Sequence, residues 1–185
     1  MFFRQVGLVA RARIVLLLTF VCLATTARAQ GHAHEHGVVK LDIAIEAGKV
    51  TVQMESPLDN LLGFERAPRN DAERKRAEAA VTQLKAADAL FKIDPAAGCS
   101  LANVELTSAP LKLGKAEPAA AESEHADLDG DFEFNCKDAA KATYIDLGLF
   151  SAFSNMQRID VQVAALKGQL KRTLRRPATR IVLAR

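Results

Sequence analysis

The sequence predicts an α+β fold in which antiparallel hairpins pack against one main helix and a short second helix. Two observations near the ends of the chain predict the hairpins: paired runs of apolar–polar alternation, each pair split by a glycine. A third, a segment of helical period with its own start signal, lies between them. Strands with one or two covering helices belong to the α+β class.

In the first hairpin Val39, Leu41, Ile43 and Ile45 alternate with Lys40, Asp42, Ala44 and Glu46, the period of a half-buried strand. Ala47-Gly48 turns the chain into Val50, Val52 and Met54. Pro57 stops this strand, because proline cannot donate to a central ladder. From Ser56 to Pro68, Leu58, Leu61, Leu62 and Phe64 sit in a turn-rich stretch, which predicts a short helical turn folded back onto the core.

Asn70 followed by Glu73 reads as a helix start with a capping box. Ala77, Ala80, Val81, Leu84 and Ala87 then recur at helical spacing, which predicts a helix over about 71–88 covering one sheet face. Strands follow at about 101–107 and 131–136, where Phe132, Phe134 and Cys136 share a face. Between them, residues 114–126 are small and acidic without strand periodicity, and read as a mobile loop.

The last third repeats the opening design. Ile145 to Phe150 resembles a strand entering a short helix. Ile159, Val161 and Val163 alternate, Lys167-Gly168 turns the chain, Leu170, Arg172 and Leu174 continue, and Ile181 to Leu183 adds an edge strand. Whether the two hairpins share one sheet or form two packed lobes stays open at this level.

The domain organisation is a leader over 1–29, a histidine-containing flexible segment over 30–37, and the α+β domain over 38–185. Arg4, Arg11 and Arg13 precede an apolar run from Ile14 to Ala24 that closes on Ala27-Arg28-Ala29, the pattern of a cleaved secretory signal. That run falls short of the ~20 residues of a membrane span, and no later segment approaches that length, so no stable membrane insertion is expected. The lipoprotein alternative, through Cys22, meets bulky Phe20 and Val21 where small residues are needed.

Removing the leader takes four of the 25 Lys and Arg and none of the 22 acidic residues, so the formal charge becomes −1. The basic character belongs mostly to the leader, and nucleic acid is not an expected partner. The C-terminal Lys171, Arg172, Arg175, Arg176 and Arg180 read as a solvated strand edge, with an anion-binding surface as the alternative. Beyond the leader two cysteines remain, Cys99 and Cys136, and in an oxidising compartment a disulfide is the default over a redox or metal-binding thiol pair.

Candidate chemistry concentrates in the histidines. His32, His34 and His36 alternate in Gly31-His32-Ala33-His34-Glu35-His36-Gly37, so an extended segment places three imidazoles on one side, a spacing that can share Zn²⁺. Cleavage after Ala29 would also leave Gln30-Gly31-His32 with a free amine, a square-planar site for Cu²⁺ or Ni²⁺. His125, flanked by Glu124 and Asp127, can add a ligand if the fold brings it to the N-terminal group. The competing readings are a polar leader remnant and a solvated histidine. Asp59, Glu65, Asp127, Asp129 and Asp131 supply carboxylates with no pair marked for acid–base work, and the sequence lacks a nucleophile elbow, a phosphate loop or a zinc-protease motif. An enzyme is not expected.

Taken together, His34-Glu35-His36-Gly37, Ser56-Pro57-Leu58-Asp59-Asn60-Leu61-Leu62-Gly63-Phe64-Glu65, Gly98-Cys99, Phe132-Glu133-Phe134-Asn135-Cys136, Phe150-Ser151-Ala152-Phe153, Ile159 to Val163 and Gly168-Gln169 resemble the zinc-regulated periplasmic protein family, the ZrgA-like proteins, long catalogued as a domain of unknown function. The resemblance implies a periplasmic protein that binds zinc and assists zinc uptake, with the zinc ion and an ABC-type zinc importer or its binding protein as partners. The family often carries a long His/Asp/Glu tract between the two cysteines. Here Ala116 to Asp127 holds only His125, which moves the expected zinc site toward His32, His34 and His36. A periplasmic adaptor using the Leu58 to Phe64 surface, or a small-ligand module with an apolar pocket between hairpins and helix, are the alternatives.

Overall fold

The computed structural model describes residues 35–114, 126–166 and 168–183. His32, His34, His125, the leader and most of the loop at 114–126 lie outside the described residues.

The first hairpin forms as the alternation dictates, with β1 (Val38–Ile45) antiparallel to β2 (Lys49–Pro57) and Leu41 opposite Met54. The chain passes through helix α1 (Leu58–Leu62) into α2 (Asp71–Lys85) and α3 (Ala87–Leu90). It continues through β3 (Phe91–Ile93), β4 (Cys99–Thr107) and β5 (Asp127–Cys136). The last third contributes β6 (Tyr144–Leu147), α4 (Leu149–Ala152), β7 (Arg158–Ala165), β8 (Gly168–Arg175) and β9 (Arg180–Val182).

Both hairpins enter one six-stranded sheet of order β4-β5-β2-β1-β7-β8, while β3-β6-β9 form a second, small sheet. The hairpins meet through a parallel pair, β1 with β7, in which Leu41 lies opposite Val161 and Ile43 opposite Val163. Every other pairing is antiparallel. The inward rows Val39, Leu41, Ile43, Val50, Val52, Met54, Phe132, Phe134, Ile159 and Val161 join Leu58, Leu62, Leu84, Phe91, Ile145, Leu149, Phe153 and Ile181 in a single core. The helices and small sheet therefore cover one face of the large sheet. The other face is polar and laced across strands by Lys40–Glu55 at 2.9 Å, Gln53–Asp131 at 3.0 Å and Lys49–Glu133 at 3.3 Å.

Two elements differ in extent from the sequence reading, and one helix cap differs in its contacts. The main helix stops at Lys85, because Ala86 turns (φ −86°, ψ 50°) and its amide is shared by Thr82 O and Gln83 O. β5 starts at Asp127 rather than near 131: Asp129 and Asp131 face the open side while Leu128 and Phe132 point inward, so an acidic run that looks like loop is a one-sided strand. Gly130 belongs to that inward row because a Cβ there would lie 2.7 Å from the Phe132 ring. Asn70 caps α2 by accepting from Glu73 N, but the Glu73 carboxylate reaches Arg69 N at 2.7 Å and Arg66 rather than closing a capping box on Asn70 N.

Cys99 and Cys136 face each other across β4 and β5 with Cα atoms 3.9 Å apart, and they are disulfide-bonded. Two of the five residues of the C-terminal basic cluster have structural work. Arg176 donates to Met156 O and Phe153 O and covers the Phe150 ring, and Arg180 forks onto Asp146 over Tyr144. Lys171, Arg172 and Arg175 remain exposed on the edge strand β8. Among the described residues no helix is long and apolar enough to cross a membrane.

Candidate metal centre

The site forms at the end of the sheet where β1, β5 and β7 start and β2 stops. Leu58, Leu61 and Leu62 are buried, so α1 must lie against the core immediately after Pro57. That places Asn60 inside as well, 1% exposed, and its amide does what a buried polar group must. Oδ1 accepts from Gly37 N at 2.7 Å, and Nδ2 donates to Val38 O at 2.8 Å. The chain entering β1 is thus gripped on both sides of one peptide.

The same entry is held from β7. Gly37 O accepts from Gln157 N and Arg158 N at 2.8 and 2.9 Å, and the Arg158 guanidinium forks onto the Glu35 carboxylate at 2.7 and 3.3 Å. Gly37 has φ +80°, a left-handed turn, and a Cβ there would also press on Gln157 Cγ at 3.1 Å. The chain on either side of His36 is therefore held, while its side chain is 60% exposed.

Opposite it, Gly63 ends α1 in the left-handed conformation, its N–H donating to Asp59 O at 2.9 Å. Asn155 Nδ2 donates to the same carbonyl, and Arg76 donates to Leu62 O. This turn brings the Glu65 side chain, 14% exposed, back to His36, with Oε1 3.1 Å from Nε2. Asp59, 31% exposed, approaches the other ring nitrogen, with Oδ2 4.0 Å from Nδ1. Imidazole nitrogen and carboxylate oxygen are both ligand types that zinc accepts. Next to it, Arg66 covers Phe64 and pairs with Glu73, holding that carboxyl at about 2 through the guanidinium and the Arg69 amide.

Of the four predicted ligands, His36 is the one among the described residues; His32, His34 and His125 lie outside them. Ala126, the next residue after His125, has its carbonyl accepting from Leu58 N at 2.8 Å, one position before Asp59. Among the described residues no group of three or more His, Cys, Asp and Glu side chains gathers as a metal cage. The reason is geometric, since Asp59 and Glu65 address opposite nitrogens of one ring and do not meet at one point. The cysteines are spent on each other.

Sequence reasoning passed over Asp59 and Glu65 as ordinary surface acids and gave Asn60 no role. The one signal that could have found them is the burial demanded by Leu58, Leu61 and Leu62, which forces the intervening polar residues against whatever strand end lies beside them. A groove of about 270 Å³ lies on the polar sheet face, lined by Asp42, Thr51, Gln53, Gln162, Gln169 and Lys171, and not between hairpins and helix.

A search of curated proteins gives no match. The family model described as ZrgA family zinc uptake protein matches residues 33–183, a span that takes in β1, α1, both cysteines and the second hairpin. With a match over most of its length, the chain belongs to the ZrgA family of zinc uptake proteins.

Proposed function

We propose that this protein is a periplasmic accessory of zinc uptake, a carrier that binds Zn²⁺ without catalysing a reaction. Family membership supports the role in zinc uptake. The observation that carries the binding mode is His36 standing 3.1 Å from the Glu65 carboxylate on a rim gripped by Asn60 and Arg158. His34 and His32, two and four positions before His36 in the sequence, are the further candidate ligands. His125 is the fourth candidate, and the residue that follows it in sequence, Ala126, is tied to Leu58. The leader exports the chain, and an ABC-type importer or its binding protein receives the ion.

An open rim suits this task, because a carrier must release its cargo and an exposed imidazole can be exchanged for a partner's ligand. Titration calorimetry of the exported protein with Zn²⁺, and separately with Cu²⁺, is the direct test. Tight zinc binding that disappears when His32, His34 and His36 are all replaced is the expected result. Binding of copper alone moves the site to the free amine near Gln30, and binding of neither ion favours an adaptor that uses the surface around α1.

A further inference from the structure

We infer that Glu65 is a zinc ligand partnered with His36 Nε2, and that Asp59 is the positioning residue that holds the opposite ring nitrogen; this deepens the zinc-carrier reading and rests on it. Two ligands bonded to one tetrahedral zinc at about 2.0–2.1 Å stand about 3.3 Å apart. Nε2 and Glu65 Oε1 are separated by 3.1 Å, so an ion seats on this edge with a shift of a few tenths of an ångström.

The exposures give the two groups different duties. Glu65 at 14% is set into the protein body, and His36 at 60% faces water, so the carboxylate is preplaced and the imidazole stands on the approach side. Glu65 is also fixed through its backbone. It follows the left-handed turn at Gly63, which is bonded to Asp59 O, while Arg76 holds Leu62 O.

Asp59 cannot join the same coordination sphere, because it lies on the Nδ1 side at 4.0 Å. In the proposed zinc-bound state Nδ1–H is the group that donates to it. Metal-bound histidines commonly give their second N–H to a carboxylate, which selects the tautomer that leaves the other nitrogen free for the metal. One His and one Glu from the described residues then occupy two of four positions. The proposed second ligand is thus an acid about 30 positions away in sequence from the histidine segment.

The experiment is a competitive zinc titration of the full exported chain against Glu65→Gln and Asp59→Asn, with ¹⁵N detection of the His36 tautomer and ¹³C detection of side-chain carboxyls. Glu65→Gln should weaken zinc by about ten-fold or more, and Asp59→Asn by several-fold while admitting the other tautomer of zinc-bound His36, on the scale of lost ligand and supporting contacts. In the unaltered protein, zinc should shift the Glu65 carboxyl signal and metallate Nε2, a readout that stands if a variant fails to fold. Zinc affinity unchanged in Glu65→Gln, or a Glu65 carboxyl signal indifferent to zinc, overturns the inference. If zinc binding nonetheless depends on His32, His34 and His36, the carrier reading survives it; no zinc binding by the unaltered chain overturns both.

Discussion

Asn60 and Gly37, 23 positions apart in sequence, are joined by a buried hydrogen bond of 2.7 Å that ties the first helix to the turn carrying His36. The same amide closes on Val38 O, so fold and candidate site share one polar anchor. Asn60→Ala should therefore act on both. Leaving a buried N–H and C=O without partners costs about 1–3 kcal/mol each, and the expected loss is about 2–3 kcal/mol by urea unfolding. Zinc affinity should fall as well, although residue 60 supplies no ligand.

His36→Ala separates binding from stability. The side chain is 60% exposed, so unfolding free energy should stay within about 0.5 kcal/mol of the unaltered protein. Zinc affinity measured by titration should nevertheless drop by about ten-fold or more, the scale attached to lost metal-site interactions.

Replacing both Cys99 and Cys136 by alanine removes a covalent tie across 37 positions of sequence. The chain-entropy account assigns closure of such a loop about 4 kcal/mol. Calorimetric melting should show a marked fall in Tm. Zinc affinity at a temperature where the variant is still folded should be unchanged, since a disulfide offers no thiolate.

Added zinc should raise Tm in a concentration-dependent way, by about 2.7 kcal/mol of stability at one hundred times the Kd, and a chelator should reverse it. In the variant lacking His32, His34 and His36 the melting curve should be indifferent to the metal.

Acid sensitivity follows from carboxylates held below their ordinary range. Glu73 is lowered from 4.5 to about 2, chiefly by its hydrogen bonds from Arg66 and then from Arg69 N. Asp94 is lowered first by the Thr143 hydroxyl and then by the Ala96 and Thr143 amides, and Asp146 is lowered by Arg180. A depressed folded pKa means the unfolded chain binds the proton first. The stabilisation is complete above the unfolded value, near 4.5 for Glu73, and is lost as pH falls toward 2. Urea midpoints measured from pH 6 to pH 2.5 should fall through that window, and Glu73→Gln should flatten the decline.

Much of the fold is legible in the residues. Alternation in Val39 to Ile45 and Ile159 to Val163 depends on neighbours two positions apart, and Asn70 caps its helix three residues away, so local physics suffices. The three-residue strand β3 is too short to show a period, and it exists because Ile145 and Leu147 pair with it. The acidic start of β5 is a strand only because β2 lies beside it and its carboxylates have an open face to point into. Of the candidate site, the histidine was legible from residue type. Asp59 and Glu65 were not, because exposed acids of the same appearance occur throughout the chain.

The sequence by itself determined the strand and helix periods, the α+β class, the cysteine pair and the histidine-bearing segment, all of which rest on residue type and short spacing. Only the tertiary structure decided that the two hairpins form one sheet, through a parallel β1–β7 pair whose register joins residues about 120 positions apart, and that α1 folds Asp59 and Glu65 onto the two nitrogens of His36. The physical reason is the same in both cases. Each juxtaposition is set by burying a common apolar face, a condition on the whole core that no local pattern contains.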